Sequence, residues 1–131
     1  MIVLDASAAV ALIYETGPAA ESLTNRLEAE HEVAAPHLLD PEASRAFRRL
    51  ARAGEIQPAE IPGLLEELMT LRVVRYPHVA LVPRVWELRD TIGTYDAFYV
   101  ALAEVLECPL VTSDAHLARA HGHGADVELF A

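Results

Sequence analysis

Short apolar runs alternate with helical patterns along this chain, and that alternation constrains its fold more than any other feature. The predicted strands are residues 2–4, 32–34, 72–75, 110–112 and 127–130. The predicted helices are residues 7–14, 19–30, 40–52, 58–70, 82–92, 95–107 and 115–120. Strands separated by helices are typical of a parallel sheet with helices on both faces. The pattern therefore predicts an α/β fold, in which Asp40-Pro41 begins the third helix as N-cap and first helical residue.

Length and composition narrow the class of protein. The 131 residues fit a single domain spanning residues 1–131, and the 53% hydrophobic content is too high for a disordered chain. No apolar run reaches the ~20 residues of a membrane-spanning helix. Met1 leads directly into an apolar strand without a basic segment, so we expect no signal peptide. The single cysteine, Cys108, excludes an internal disulfide and a cysteine-based zinc site, and it favours the reducing cytoplasm.

The charged residues exclude several kinds of chemistry. The net charge is −10, and all ten basic residues are arginines. Without lysine the chain has no Schiff-base, P-loop or lysine general-base mechanism. A phosphoacceptor receiver domain matches the size and acidity, but that class relies on a lysine. The acidity argues at first sight against a nucleic-acid partner, because phosphate binders usually carry a basic face.

Four acidic residues fall where an open parallel sheet binds its ligands. Asp5 ends the first strand, and Asp114 follows the 110–112 strand after one residue. Glu42 and Asp96 lie in the first turns of their helices. Taken singly, each is explained as a helix cap or a partner of the helix dipole. Together they would repel one another at the carboxyl edge of the sheet, which predicts a Mg²⁺ or Mn²⁺ site and metal-assisted phosphodiester chemistry.

Four segments carry a family resemblance that covers essentially the whole chain. They are IVLDASA (2–8), APHLLDPE (35–42), YDAFYVALAE (95–104) and LVTSD (110–114). In this order they resemble PIN-domain proteins, specifically VapC-type ribonuclease toxins of bacterial type II toxin–antitoxin pairs. The resemblance implies a three-layer α/β/α sandwich with a central five-stranded parallel sheet. It also implies that Asp5, Glu42, Asp96 and Asp114 are the catalytic, Mg²⁺- or Mn²⁺-binding residues.

The same resemblance implies an activity and partners. Ser7 and Thr112 match small hydroxyl positions near the metal. The expected activity is endoribonuclease cleavage by metal-activated water, leaving a 5′-phosphate and a 3′-hydroxyl. Expected partners are RNA, a second copy of the chain, and a VapB-like antitoxin whose basic segment enters the active site and which alone contacts operator DNA. A further acidic position of some members has no counterpart at 115–118, so the number of metal ions stays open.

Arginines and aromatic residues are the candidates for contacts with RNA. A stripe on the 40–52 helix consists of Arg45, Arg48, Arg49 and Arg52. Glu42 lies about 20° from Arg49 on a helical wheel, so the stripe leads away from the proposed metal site. Arg45, Arg49 and Arg89 are the candidate RNA-binding residues; a solvated helix face and antitoxin contact are the alternatives. Trp86, Tyr95 and Tyr99 are candidates for base stacking or for ordinary packing.

Two further classes of protein compete with this interpretation. A haloacid-dehalogenase-type phosphatase requires Asp-x-Asp after the first strand, and here Ser7 stands at the second position. A catalytically silent PIN-like module that acts only through a protein partner is the alternative outside the enzymes. Metal titration and an RNA cleavage assay with and without EDTA distinguish that module from the ribonuclease.

Overall fold

The computed structural model describes residues 1–131 and contains one five-stranded sheet in which every pair of neighbouring strands is parallel. The strands are β1 (Ile2–Leu4), β2 (Val33–Pro36), β3 (Val74–Tyr76), β4 (Leu110–Thr112) and β5 (Val127–Leu129). Their order across the sheet is β3-β2-β1-β4-β5. The predicted α/β fold with a five-stranded parallel sheet is confirmed.

Seven α-helices connect the strands and cover the sheet, giving the three-layer sandwich. They are α1 (Ala6–Tyr14), α2 (Pro18–Glu28), α3 (Leu39–Arg52), α4 (Ile61–Thr70), α5 (Val82–Glu87), α6 (Thr94–Leu106) and α7 (Ala115–Ala118). Two short 3₁₀ turns, Pro58–Glu60 and Val79–Leu81, precede α4 and α5. None of these helices has the length and apolar character needed to cross a bilayer.

The core lies around the two central strands. Every residue of β1 and β4 is fully buried, as expected for strands with helices on both faces. On β1, Val3 pairs with Ala34 on one side and with Leu110 on the other. A smaller cluster around Phe47 packs α3 against α1 and α4, so the predicted hairpin of α3 and α4 is present.

The prediction that Asp40 caps the third helix is wrong. Helix α3 begins two residues earlier, at Leu39, and Leu38 is its N-cap without a side-chain cap hydrogen bond. The Asp40 carboxylate instead accepts two hydrogen bonds of 2.9 Å from the Arg75 guanidinium on β3. A contact between an arginine and an aspartate 35 residues apart has therefore replaced the local cap.

Several predicted element boundaries also need correction. The third strand occupies Val74–Tyr76 rather than 72–75. The helix predicted over 82–92 ends at Glu87, and that over 115–120 ends at Ala118. The helix predicted from Pro58 is divided into a 3₁₀ turn and α4, because Pro62 supplies a new helix start.

The order of the strands determines where a ligand site forms. The chain builds outward from β1 through β2 to β3, then returns to the other side of β1 with β4 and β5. The gap between the carboxyl ends of β1 and β4 is therefore the point at which strand order reverses, where open α/β sheets bind ligands. Asp5 follows β1 at this point, and Ser113 and Asp114 follow β4.

Candidate functional site

The carboxyl edge of the sheet opens into a cavity of about 410 Å³, which we call the carboxylate cavity. Its lining includes the four predicted acidic residues Asp5, Glu42, Asp96 and Asp114. The ends of β1 and β4 bring Asp5 and Asp114 to the cavity, and the first turns of α3 and α6 bring Glu42 and Asp96. Residues more than 100 positions apart in the chain thus line one concave site.

Asp5 is the most buried of the four acidic residues, with only 3% of its surface exposed. As N-cap of α1, its Oδ1 accepts hydrogen bonds from the Ala8 N–H at 2.8 Å and the Ser7 hydroxyl at 2.7 Å. Its Oδ2 accepts a hydrogen bond from the Thr112 hydroxyl at 2.5 Å. Burial raises the pKa of Asp5 to about 6; the three donors oppose this rise, and nearby Asp96 adds to it. Asp5 therefore ionises only against a large desolvation cost.

Ser7 and Thr112 connect the two strand ends that carry the site. The Ser7 hydroxyl oxygen accepts a hydrogen bond from the Ser113 N–H at 3.0 Å. The Thr112 hydroxyl oxygen accepts one from the Asp114 N–H at 3.0 Å. Because both hydroxyls also donate to Asp5, they hold its carboxylate at a defined position between β1 and β4.

Asp96 and Asp114 are less constrained than Asp5. Asp114 is the N-cap of α7 and accepts a hydrogen bond from the His116 N–H at 2.8 Å. The half-buried Asp96 carboxylate accepts no hydrogen bond from the protein, and its pKa is raised first by burial and then by the charge of Asp114, while His116 opposes the rise. Asp96 also helps to raise the pKa of Asp5 and Glu42, so it is the electrostatic neighbour of all three other carboxylates.

Buried polar atoms without a partner are concentrated in this cavity. The structure has four such side-chain atoms, and three of them belong to lining residues: Glu42 Oε1, the Tyr99 hydroxyl and Ser113 Oγ. Burial raises the pKa of Glu42, and the adjacent Tyr99 hydroxyl opposes the rise without meeting hydrogen-bond geometry. Because buried polar groups are normally paired, this concentration indicates a site for a polar ligand.

The donor set of the cavity fits a hard divalent cation. Carboxylate oxygens are the ligands that Mg²⁺ and Mn²⁺ prefer, and a cation offsets the burial and, after it, the mutual repulsion that raise the pKa values of Asp5, Glu42 and Asp96. No three Asp, Glu, His or Cys side chains lie close enough together to form a ready-made metal cluster. That spacing suits a hydrated ion, because Mg²⁺ usually keeps several waters and contacts only one or two carboxylates directly.

The arginine stripe is divided between two surfaces. Arg45 and Arg49 line the carboxylate cavity, whereas Arg48 and Arg52 line a groove between α3 and α4. Two arginines of the stripe therefore lie in the same cavity as the acidic residues, and the other two lie on a different surface. Arg89 lies elsewhere: its guanidinium stacks on the Trp86 ring at 4.4 Å and donates a hydrogen bond to the Trp86 carbonyl.

Three polar residues of the cavity, Glu15, Tyr99 and Ser113, were not predicted from the sequence to belong to the site. Glu15, at the C-terminal end of α1, is a fifth carboxylate in the lining, and no pattern in its neighbours marks it. Tyr99 was a candidate only for base stacking or packing, and only 1% of its surface is exposed. Its position three residues after Asp96 on α6 places both side chains on one helix face, a signal that the sequence contains.

The family model and the similar proteins agree on one family for this chain. A family model described as PIN domain matches residues 2–122. Ribonuclease VapC9 of Mycobacterium tuberculosis is 43% identical over 118 residues, covering 90% of this chain and 89% of that protein. Ribonuclease VapC12 of the same species is 42% identical over 131 residues, covering 100% of both. The fold defines an α/β protein of PIN type; the chain belongs to the PIN-domain family and, within it, to the VapC ribonucleases.

Solved structures support the same fold. A structure of VapBC2 from Rickettsia felis, bound to a DNA fragment from its promoter, matches with a TM-score of 0.71. The match covers 100% of both chains at 17% sequence identity. The likeness therefore extends over the whole sheet and its helices.

Proposed function

We propose that this protein is a Mg²⁺- or Mn²⁺-dependent endoribonuclease toxin that a cognate antitoxin neutralises. The observation that carries the proposal is the carboxylate cavity, which combines five acidic side chains, the four predicted residues and Glu15, with two arginines at the point where strand order reverses. Carboxylates hold divalent cations and arginines hold phosphates, so the lining suits a phosphodiester substrate. The VapC relatives of this chain are named as ribonucleases, which supports RNA as that substrate.

The four acidic residues would hold the cation, with Ser7 and Thr112 positioning Asp5 by hydrogen bonds. When bound, the ion supplies a more acidic water and neutralises negative charge on the phosphate. Glu42 carries an unpartnered buried oxygen and a raised pKa, so it is suited to orient a water and to accept its proton at Oε1. Arg45 and Arg49 would bind the non-bridging oxygens or a neighbouring phosphate.

The expected partner is a VapB-like antitoxin with a basic segment. The VapBC2 structure pairs a PIN-fold chain with promoter DNA, which supports contact with operator DNA through the antitoxin. The net charge of −10 and the acidic cavity suit a cationic segment that covers the carboxylates. A homodimer and a larger toxin–antitoxin complex complete the proposal, and the single cysteine is consistent with a cytoplasmic enzyme.

The test uses Asp96→Asn as the variant that perturbs the fold least, because this carboxylate accepts no hydrogen bond from the protein. Asp90→Asn is the matched control, an exposed aspartate outside the cavity. Wild type and both variants are assayed for cleavage of total RNA with Mg²⁺, with Mn²⁺ and with EDTA, and for Mn²⁺ binding by calorimetry.

We expect wild type and Asp90→Asn to bind Mn²⁺ and to cut RNA, and EDTA to abolish cleavage. Asp96→Asn should lose at least ~100-fold in rate, within the range typical of a lost electrostatic group. Equal cleavage by wild type and Asp96→Asn would overturn the proposed mechanism. A wild-type protein that neither binds Mn²⁺ nor cuts RNA would instead be a protein-binding module.

A further inference from the structure

A second cavity lies directly beside the first and shares part of its wall. It measures about 290 Å³ and is lined by Glu42, Gly93, Thr94, Tyr95 and Asp96. Glu42 and Asp96 also line the carboxylate cavity, so these two acidic side chains separate the two spaces. A ligand whose phosphate lies at the carboxylates can therefore extend in either direction.

The two sides of this wall differ in chemistry. The carboxylate cavity carries Arg45 and Arg49, which suit the anionic backbone of a nucleic acid. The second cavity carries no basic residue, and its largest side chain is Tyr95. One side is therefore suited to a phosphate and the other to an aromatic ring.

Tyr95 is exposed in a way that packing does not explain. Its surface is 53% exposed, whereas Tyr99 on the same helix is 1% exposed and belongs to the core. The other strongly exposed aromatic residue, Trp86, is covered on one face by the Arg89 guanidinium. No aromatic or cationic side chain stacks on Tyr95. Its ring thus remains available to a ligand in the second cavity.

We propose that the second cavity binds the base next to the scissile phosphate by stacking it on Tyr95. This proposal rests on the proposed ribonuclease function. A base inside a duplex is already stacked on both faces, so only an unpaired base can reach an aromatic side chain. The volume, just below the roughly 300 Å³ at which ligand pockets begin, suits one base rather than an extended ligand.

The open side of the cavity allows a nucleotide to enter. Gly93, at the N-cap of α6, has no atom within 4 Å of the position that a Cβ would occupy. The backbone at Gly93 therefore leaves open space at one of the residues that line the second cavity. Stacking is tolerant of base identity, so this site selects for unpaired nucleotides more than for sequence.

The test compares three variants. Tyr95→Ala removes the ring, Tyr95→Phe keeps the stacking surface, and Tyr14→Ala removes a partly exposed aromatic residue that lies outside both cavities. Binding is measured in EDTA by fluorescence anisotropy of a labelled single-stranded RNA and of the same RNA annealed to its complement. Cleavage is measured in Mn²⁺ on that strand and on strands with one abasic position on either side of the mapped cut.

We expect Tyr95→Ala to weaken single-strand binding about 5- to 150-fold, the range for loss of one stacked base, and to leave duplex binding unchanged. Tyr95→Phe and Tyr14→Ala should bind like wild type. An abasic position on one side of the cut should slow the wild type to the rate of Tyr95→Ala and should not slow that variant further. The proposal would be overturned if Tyr95→Ala bound single-stranded RNA as tightly as the wild type does. It would also be overturned if the variant lost the same affinity for single-stranded RNA and for the duplex.

Failure of the proposed ribonuclease function would give a result that differs from failure of base stacking on Tyr95. A wild-type protein that binds no Mn²⁺ and cuts neither RNA nor the small diester bis(p-nitrophenyl) phosphate would contradict the ribonuclease itself. The anisotropy measurement in EDTA does not depend on metal or on cleavage, so it still reports whether Tyr95 binds unpaired RNA. Cleavage of the small diester by Tyr95→Ala at the wild-type rate would locate the defect in base binding.

Discussion

The Tyr99 hydroxyl and Glu42 Oε1 are two buried polar atoms on the wall of one cavity, and neither has a hydrogen-bond partner within ordinary geometry. The hydroxyl nevertheless lies close enough to oppose the rise that burial causes in the pKa of Glu42. Tyr99 therefore favours the charged form of a carboxylate that would help to hold a cation. Its own pKa is raised by burial and by that carboxylate, so it stays protonated.

We predict that Tyr99→Phe lowers Mn²⁺ affinity several-fold without destabilising the fold. Phenylalanine keeps the buried ring and removes an unsatisfied hydroxyl, so the free energy of unfolding should change by less than about 1 kcal/mol. The pKa of Glu42 should rise further, so the loss of affinity should be larger at pH 6 than at pH 8. Calorimetric titration at both pH values measures this effect.

Tyr76→Phe is the control for that experiment, because the Tyr76 hydroxyl lies near Glu32 at 3.5 Å and outside the cavity. Tyr99→Phe combined with Glu42→Gln should bind Mn²⁺ no more weakly than Glu42→Gln alone. Additive losses would mean that Tyr99 acts on the cation without Glu42.

Asp5→Asn should stabilise the metal-free protein at neutral pH. The folded-state pKa of Asp5 is about 6, above its ordinary value of 3.8, so the unfolded chain ionises first as the pH rises. Stability is therefore lost between about pH 4 and pH 6, by at most about 3 kcal/mol at about 1.4 kcal/mol per pKa unit. Asparagine cannot ionise, so the advantage of the variant should grow across this window and be absent below it.

Urea unfolding in EDTA at pH 4, 5, 6 and 7 measures that difference. Asp90→Asn serves as the control, since this side chain is exposed and makes no ion pair. A constant offset between Asp5→Asn and wild type at all four pH values would show that the carboxylate titrates equally in the folded and unfolded states.

The two halves of the arginine stripe should differ in their effect on RNA cleavage. Arg45→Glu with Arg49→Glu reverses two charges in the carboxylate cavity, and Arg48→Glu with Arg52→Glu makes the same change in net charge in the α3–α4 groove. We expect the first pair to lose at least ~10-fold in RNA affinity, with a shallower dependence on salt, because phosphate contacts are released. Near-wild-type binding is expected of the second pair. Equal losses for the two pairs would assign the effect to net charge alone.

Arg75→Gln should destabilise the fold by about 2 kcal/mol, the scale of hydrogen bonds to charged groups. Arg75 donates two hydrogen bonds to Asp40 and one of 2.9 Å to the Leu68 carbonyl, so it joins β3 to α3 and α4. Arg72→Gln, at an exposed arginine without an ion pair, is the control for urea unfolding. A change below 0.5 kcal/mol, the ordinary range for a surface substitution, would contradict this prediction.

The alternation of strands and helices was enough to predict the sheet and to place Asp5 and Asp114 at one edge, because both follow strands whose direction parallel pairing determines. At Asp40, the local sequence pattern predicts the wrong role for the side chain. Asp-Pro is a sound helix-start signal, but Arg75 from a distant strand binds the carboxylate, and no local window contains that contact. A helical wheel likewise predicts the angular spacing of Arg45 and Arg48 around α3. It does not show which neighbouring helix packs against each side of α3.

The wall formed by Glu42 and Asp96 separates the chemistry of the site from its choice of substrate. The acidic side chains that would hold the ion stand between the arginines on α3 and the ring of Tyr95. Evolution can therefore exchange residues 93–95, or the arginines, and redirect the enzyme to a different RNA while the hydrolytic machinery is inherited unchanged. In such a site, a change of RNA target requires only substitutions beside Glu42 and Asp96, and these two carboxylates can stay the same.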